Sequence, residues 1–197
     1  MILAWYYVIV REDSSAIRES RMALTLDPSS YPIVANVVSI LRAAGRFDLA
    51  TIEARRYLQP EIHQPRVMHG SLSWDLLLLG KTAAAKIQLD SALAINAECC
   101  KRTRALYYAL TGDLQRSNKM LDEFITSKNE SGTYYRADWI AEVTAANGDD
   151  DRTFKLLDQA YDDRSVGLPV FPRNVLLTRF KDDARFIALA KKLGVAP

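Results

Sequence analysis

Four of the chain's eight glycines stand at Gly45, Gly80, Gly112 and Gly148, separated by 35, 32 and 36 residues, and this spacing constrains the fold more than any other feature. Each closes one helical pattern and opens another, the position at which a tight helix-to-helix turn requires a left-handed residue. Around them the same residue types recur. Five residues after each glycine comes a small side chain, Ala50, Ala85, Ser117 and Thr153. Seven before it stand Val38, Ser73, Ala105 and Ala141, and four before it Leu41, Leu76, Tyr108 and Thr144. Nine after it come Ala54, Leu89, Leu121 and Leu157, and twelve after it Tyr57, Ala92, Phe124 and Ala160. These offsets describe one unit of two antiparallel helices, with small residues where the helices cross and larger ones along the shared seam. The expected fold is all-α, a solenoid of helix pairs. Helices are expected at 2–10, 14–26, 31–44, 46–59, 66–79, 81–95, 98–111, 113–127, 133–147 and 150–163.

A repeating unit of about 34 residues with this pattern resembles the tetratricopeptide repeat. The clearest stretch is Ala43-Ala-Gly-Arg-Phe-Asp-Leu-Ala50; a half unit before it carries Ala16, Ala23 and the ending Leu24-Thr-Leu-Asp-Pro28. The family's large aromatic early in the first helix is replaced here by Val34, His69, Lys101 and Ala137. The array is expected over residues 1–164, as a short first repeat followed by four units. From 165 to 197 the period fails. Ser165-Val-Gly-Leu-Pro-Val-Phe-Pro172 reads as an irregular strip, and Phe180 to Gly194 as a capping helix begun by Asp182 or Asp183 and ended by lysines and glycine. This tail is similar to the closing segment of tetratricopeptide regions in bacterial regulators and signalling proteins, with Ala184 at that segment's proline position. An open stack needs such a last element, and Phe180, Phe186, Leu189 and Leu193 are placed to cover it.

Composition narrows the setting. Eight glycines and seven prolines in 197 residues are too few for the many tight turns of an all-β sandwich. The adjacent Cys99 and Cys100 do not make a disulfide scaffold, so a reducing, cytoplasmic setting is expected. The apolar start Met1 to Val10 is half the length of a membrane span and lacks the flanks of a signal peptide. Its Trp5, Tyr6 and Tyr7 look like seam residues with no preceding pair to cover one side, which is expected either of the end of a longer array or of an edge buried against a partner, self-association included. A net charge of +2 is too near balance to point to nucleic acid or an anionic membrane as the partner, and the five basic and two acidic residues from Glu98 to Lys119 are equally explained by a solvated helix face.

No catalytic or metal-binding residues are expected. Gly80-Lys-Thr82 imitates the end of a phosphate-binding loop, but Asp75 occupies the position of the required second glycine and Leu76 to Leu79 continue a helix. His63 and His69, the only histidines, lack zinc spacing and a nucleophile's signature. Asp149, Asp150 and Asp151 do not alternate as calcium ligands do; they suit the start of a helix.

The resemblance implies a non-enzymatic interaction module without a cofactor, holding a peptide or partner protein. The alternative is a regulatory region whose DNA-binding or catalytic domain lies elsewhere. The expected groove is lined by the first helix of each pair: Ser39 and Arg42, then Trp74, then Arg102, then Tyr135, Asp138 and Glu142. A tryptophan flanked by arginines suits an extended peptide with acidic groups and an apolar anchor; packing between units is the other reading of Trp74.

Overall fold

A computed structural model describes residues 1–58, 65–130 and 136–196, with backbone alone over 127–130. His63, Tyr135, the link Pro60 to Gln64, and Ser131 and Gly132 lie outside the described residues. The described residues form eleven α-helices and two 3-10 segments, with no strand among them. They are α1 (Ile2–Ile9), α2 (Asp13–Leu26), α3 (Tyr31–Ala43), α4 (Phe47–Arg56), α5 (Pro65–Leu78), α6 (Thr82–Ile95), α7 (Lys101–Leu110), α8 (Leu114–Glu130), α9 (Ala137–Ala146), α10 (Asp150–Asp162) and α11 (Ala184–Leu193). The all-α expectation holds, and the chain forms two compact units, residues 1–100 and 101–197. No helix among the described residues is long and apolar enough to cross a membrane.

The four glycines do what their spacing implies. Gly45, Gly80, Gly112 and Gly148 have φ of +70°, +70°, +85° and +78°. At the first turn, Gly45 N–H donates to Arg42 O at 2.9 Å and Arg46 N–H to Leu41 O at 2.8 Å, and the other three repeat this pair of bonds. The arrangement satisfies carbonyls that the helix end would leave unpaired. Between α1 and α2 the same turn is made by Arg11, 34 residues before Gly45, with φ 64°. Its N–H donates to Val8 O and that of Glu12 to Tyr7 O. The left-handed conformation costs a side chain such as arginine about 1–2 kcal/mol. The period therefore begins one hairpin earlier than glycine alone reveals, and Ala4 and Ala16 occupy its minus-seven and plus-five positions, both fully buried.

Those two positions are the crossing points. Val38, Ser73, Ala105 and Ala141 are fully buried, as are Ala50, Ala85, Ser117 and Thr153. Ser73 Oγ donates to Ala85 O at 2.9 Å, and Ser117 Oγ donates to Ala105 O at 2.8 Å, so a hydroxyl from either helix reaches the facing backbone. In the last hairpin Thr153 and Thr144 hydroxyls meet at 3.0 Å.

In the first unit α1 to α6 pack in sequence order, and the first helices also touch, α1 with α3 and α3 with α5. In the second, α7 packs on α8 and α9, and α9 on α10. α8 runs three residues past the expected end at 127, because Lys128-Asn-Glu130 contains neither glycine nor proline to stop it. α7 starts at Lys101 and not at 98, since Cys100 holds a left-handed φ of 58°.

The tail caps the second unit. Leu168–Arg173 and Thr178–Phe180 are 3-10 segments, and Asp183, whose carboxylate accepts from Arg185 N–H at 2.8 Å, opens α11. Hydrogen bonds from the Arg185 side chain and backbone hold the Asp183 carboxyl below the usual carboxylate range. Phe180 packs on Phe154 with ring centroids 5.0 Å apart, and Phe171 on Phe186 at 4.6 Å. Phe186 and Leu189 are buried as expected, while Leu193 is only half-buried. The acidic start of α10 is fastened to this cap: Asp150 pairs with Arg179, and Asp151 with Arg185 at 2.9 Å.

Two predictions follow the packing. Phe186 is fully buried and Ile187 is 45% exposed. Phe186→Ala is expected to cost about 3–5 kcal/mol in chemical denaturation, and Ile187→Ala under about 1 kcal/mol; equal losses would contradict the cap. Gly70 lies on α5, where an added Cβ would stand 2.9 Å from Cys100 Sγ. Gly70→Ala is therefore expected to cost about 1–3 kcal/mol despite alanine's better helix propensity. In a Cys100→Ala background the same change should stabilise by up to about 1 kcal/mol, a sign reversal readable in a double-mutant cycle.

Candidate interaction site on the first helices

Along the first helices, several polar side chains are used between neighbours. Trp5 Nε1 on α1 donates to Asn36 Oδ1 on α3 at 2.7 Å. Arg42 Nε on α3 donates to Asp75 Oδ1 on α5 at 2.5 Å. In the second unit Arg102 on α7 pairs with Glu142 on α9 at 3.2 Å. Arg42 and Arg102, expected to meet an acidic partner, thus each hold a carboxylate of the next first helix. Ser39 is half-buried and its hydroxyl donates to Ala35 O within α3 at 2.8 Å.

Trp74 does not line an open surface. It is 4% exposed, within the run Leu72 to Leu77 that α5 buries against its neighbours. Asp138 is likewise buried, at 5%, because Arg136 and Ser165 close over it. Its carboxylate accepts from Arg136 Nε at 3.2 Å and from Arg136 Nη2, and from Ser165 Oγ at 2.7 Å. An offset from a glycine places a residue along a first helix but not how much of that helix its neighbours cover, and the residues on both sides of Trp74, Ser73 and Asp75, are buried as well.

The residue that takes the exposed place is Trp139, next to Asp138 and 42% exposed. Arg136, Trp139 and Glu142 follow at three-residue spacing and share a face of the helix. Arg136 Cζ lies 4.3 Å from the indole centroid and Arg102 Cζ 4.9 Å. Each guanidinium is drawn to the ring's electron-rich face, and each is oriented by its carboxylate, Arg136 by Asp138 and Arg102 by Glu142. The irregular strip supports this cluster. A Cβ on Gly167 would fall 1.4 Å from Arg136 Nη2, so the bare glycine gives the guanidinium its seat. The sequence signal for Trp139 is the three-residue spacing of Arg136, Trp139 and Glu142.

Chemically the cluster offers a rigid ring and charged hydrogen-bond donors. The only histidines in the chain are at 63 and 69, outside this unit. His69 is half-buried on α5, with Nδ1 2.8 Å from Gln88 Oε1. Gly80-Lys-Thr82 is the turn between α5 and α6, and Asp149 caps α10 by accepting from Arg152 N–H at 3.1 Å. Among the described residues no three histidine, cysteine or acidic side chains gather to hold a metal.

Comparison of the chain with protein-family models, curated proteins and solved structures returns no match.

The Arg42–Asp75 pair yields a pH prediction. Asp75 is fully buried, and its Oδ2 and Arg42 Nη2 have no hydrogen-bond partner among the described residues. Burial raises the Asp75 carboxyl above the ordinary carboxylate range, against the opposing pull of Arg42. A raised folded value means that the folded state binds the proton more tightly. Asp75 should then contribute more stability as pH falls through its raised value towards about 3.9, the ordinary one. Unfolding midpoints of wild type and Asp75→Asn, compared from about pH 7 down to about pH 4.5, should show wild type gaining on the variant; parallel curves would contradict this.

Proposed function

We propose that this chain is a non-enzymatic protein-interaction module, a scaffold of tetratricopeptide-like helix pairs that holds a peptide or partner protein. The supporting observation is Trp139, kept exposed on α9 while two guanidinium groups stack on it, each fixed by a carboxylate. A large aromatic surface that is already ordered loses little entropy on binding, and tryptophan and arginine are the residues that most often dominate interfaces. Arg136 is held through Nε and Nη2. A guanidinium carries five N–H donors, more than the two that the pair with Asp138 uses. The fitting ligand is an extended segment that lays an apolar side chain on the indole and an acidic one beside it.

Selection from a random peptide library tests this reading. Enriched sequences should pair an acidic with an apolar residue, and Trp139→Ala should weaken their binding by about 1–3 kcal/mol with helicity unchanged. Gly167→Ala, which displaces Arg136 without touching the ring, should weaken acidic peptides more than peptides whose acidic residue is replaced by its amide. Peptides that bind wild type and Trp139→Ala equally would overturn the assignment.

A further inference from the structure

The turn that follows α10 is fastened to the Trp139 cluster on both sides of one exposed residue. Leu168 N–H donates to Ser165 O at 3.0 Å, which makes Ser165-Val-Gly-Leu168 a four-residue turn. Gly167, at φ −89° and ψ −14°, holds the third position of a type I turn, a conformation open to most residues. The turn therefore does not require glycine there. The Arg136 guanidinium does, since it lies where a Cβ would stand. Ser165, 6% exposed, donates its hydroxyl to Asp138 Oδ1 at 2.7 Å. Between these two pinned residues Val166 is 88% exposed.

A single exposed valine is ordinary on a protein surface. Val166 differs because one continuous layer joins its turn to the exposed indole. Arg136 Cζ lies 4.3 Å from the Trp139 ring centroid and 2.6 Å from the place of a Gly167 Cβ, so the guanidinium touches both ring and turn. One further Cα-to-Cα step puts the Val166 backbone no more than about 12 Å from the indole centroid. In an extended segment every second side chain points the same way, and residues four apart are separated by about 13 Å.

We propose, resting on the interaction function given above, that this turn is the second recognition element of the Trp139 site and that Val166 receives a second apolar side chain of the bound segment. The ligand class is then an extended peptide with an apolar residue on Trp139, an acidic one two positions on beside Arg136, and an apolar one four positions on against Val166. Ser165 and Gly167 act as positioning residues, through Asp138 and Arg136 respectively. A turn already pinned at both neighbours loses little freedom when Val166 is covered.

Peptides selected on the wild-type chain from a random library, with binding read by fluorescence anisotropy, test the spacing. Their sequences should carry apolar, acidic and apolar residues at alternate positions. Val166 is exposed, so substitutions there leave the fold intact, which circular dichroism verifies. Val166→Ser should weaken the peptides at least about 5-fold, while Val166→Ile should stay within about 2-fold of wild type. Truncating the peptide's second apolar residue to alanine should cost about as much on wild type but no more than about 2-fold on Val166→Ser, where the contact is already lost. Selected peptides without a second apolar residue, losses that multiply independently, or Val166→Ser binding within about 2-fold of wild type would each overturn the proposal. Trp139→Ala tells this failure from that of the site as a whole. If it weakens the peptides and Val166→Ser does not, the Trp139 site stands and Val166 is no part of it; if neither weakens them, Trp139 is no binding site either.

Discussion

The close crossing of the two helices in each hairpin is the constraint on which both units depend. At the positions seven before and five after the turn, the backbones approach until alanine, serine or threonine fills the gap, with Val38 the one larger member. Small residues there place the larger seam residues, such as Leu89, Leu121 and Leu157, in register, and all three are buried. The buried hydroxyls obey the same geometry from either side: Ser73 reaches across from a first helix and Ser117 from a second. Each finds a backbone carbonyl, which is what makes a buried serine acceptable in place of alanine.

A consequence of stacking such hairpins is that first helices come to lie beside first helices, and their polar groups pair with one another. Trp5 with Asn36, Arg42 with Asp75 and Arg102 with Glu142 are three versions of one device, each joining side chains about one repeat apart. Their chemistry differs in depth. Asp75 is fully buried, so its ionised form carries a desolvation penalty that one arginine only partly offsets. Glu142 keeps some exposure where Asp75 has none, so the pairing that orients the Arg102 guanidinium over Trp139 carries a smaller such penalty.

Most of the helix boundaries were legible because they depend on local chemistry. Glycine spacing located four turns, and an aspartate before α10 and another before α11 located two caps. The first turn was not legible as a turn of the same kind, because Arg11 adopts the conformation that glycine usually marks. Composition cannot reveal a residue held left-handed against its preference. The residue types of the candidate site were legible, but not which of them the fold leaves exposed. A tryptophan flanked by arginines does occur on a first helix, but it is Trp139, while Trp74 is buried within α5. Trp74 stands six residues before its glycine and Trp139 nine before its own, and α5 buries the whole run Leu72 to Leu77, so the offset from a glycine does not separate a buried position from an exposed one.

The C-terminal strip shows why capping and recognition are joined in the second unit. An end hairpin must cover α10, and the chain does so with Phe171, Phe180 and Phe186. To bring those rings into place it passes beside α9, where Ser165 bonds to Asp138 and Gly167 makes room for Arg136. The same eight-residue strip, Ser165 to Pro172, therefore closes the apolar end and fixes one of the guanidinium groups against Trp139. Because the strip is short and anchored at both ends, moving its aromatic contacts also moves the seat of Arg136. The geometry of the exposed indole is in this way tied to the integrity of the cap, and loosening the cap relaxes the cluster even though none of the cap's aromatic rings belongs to it.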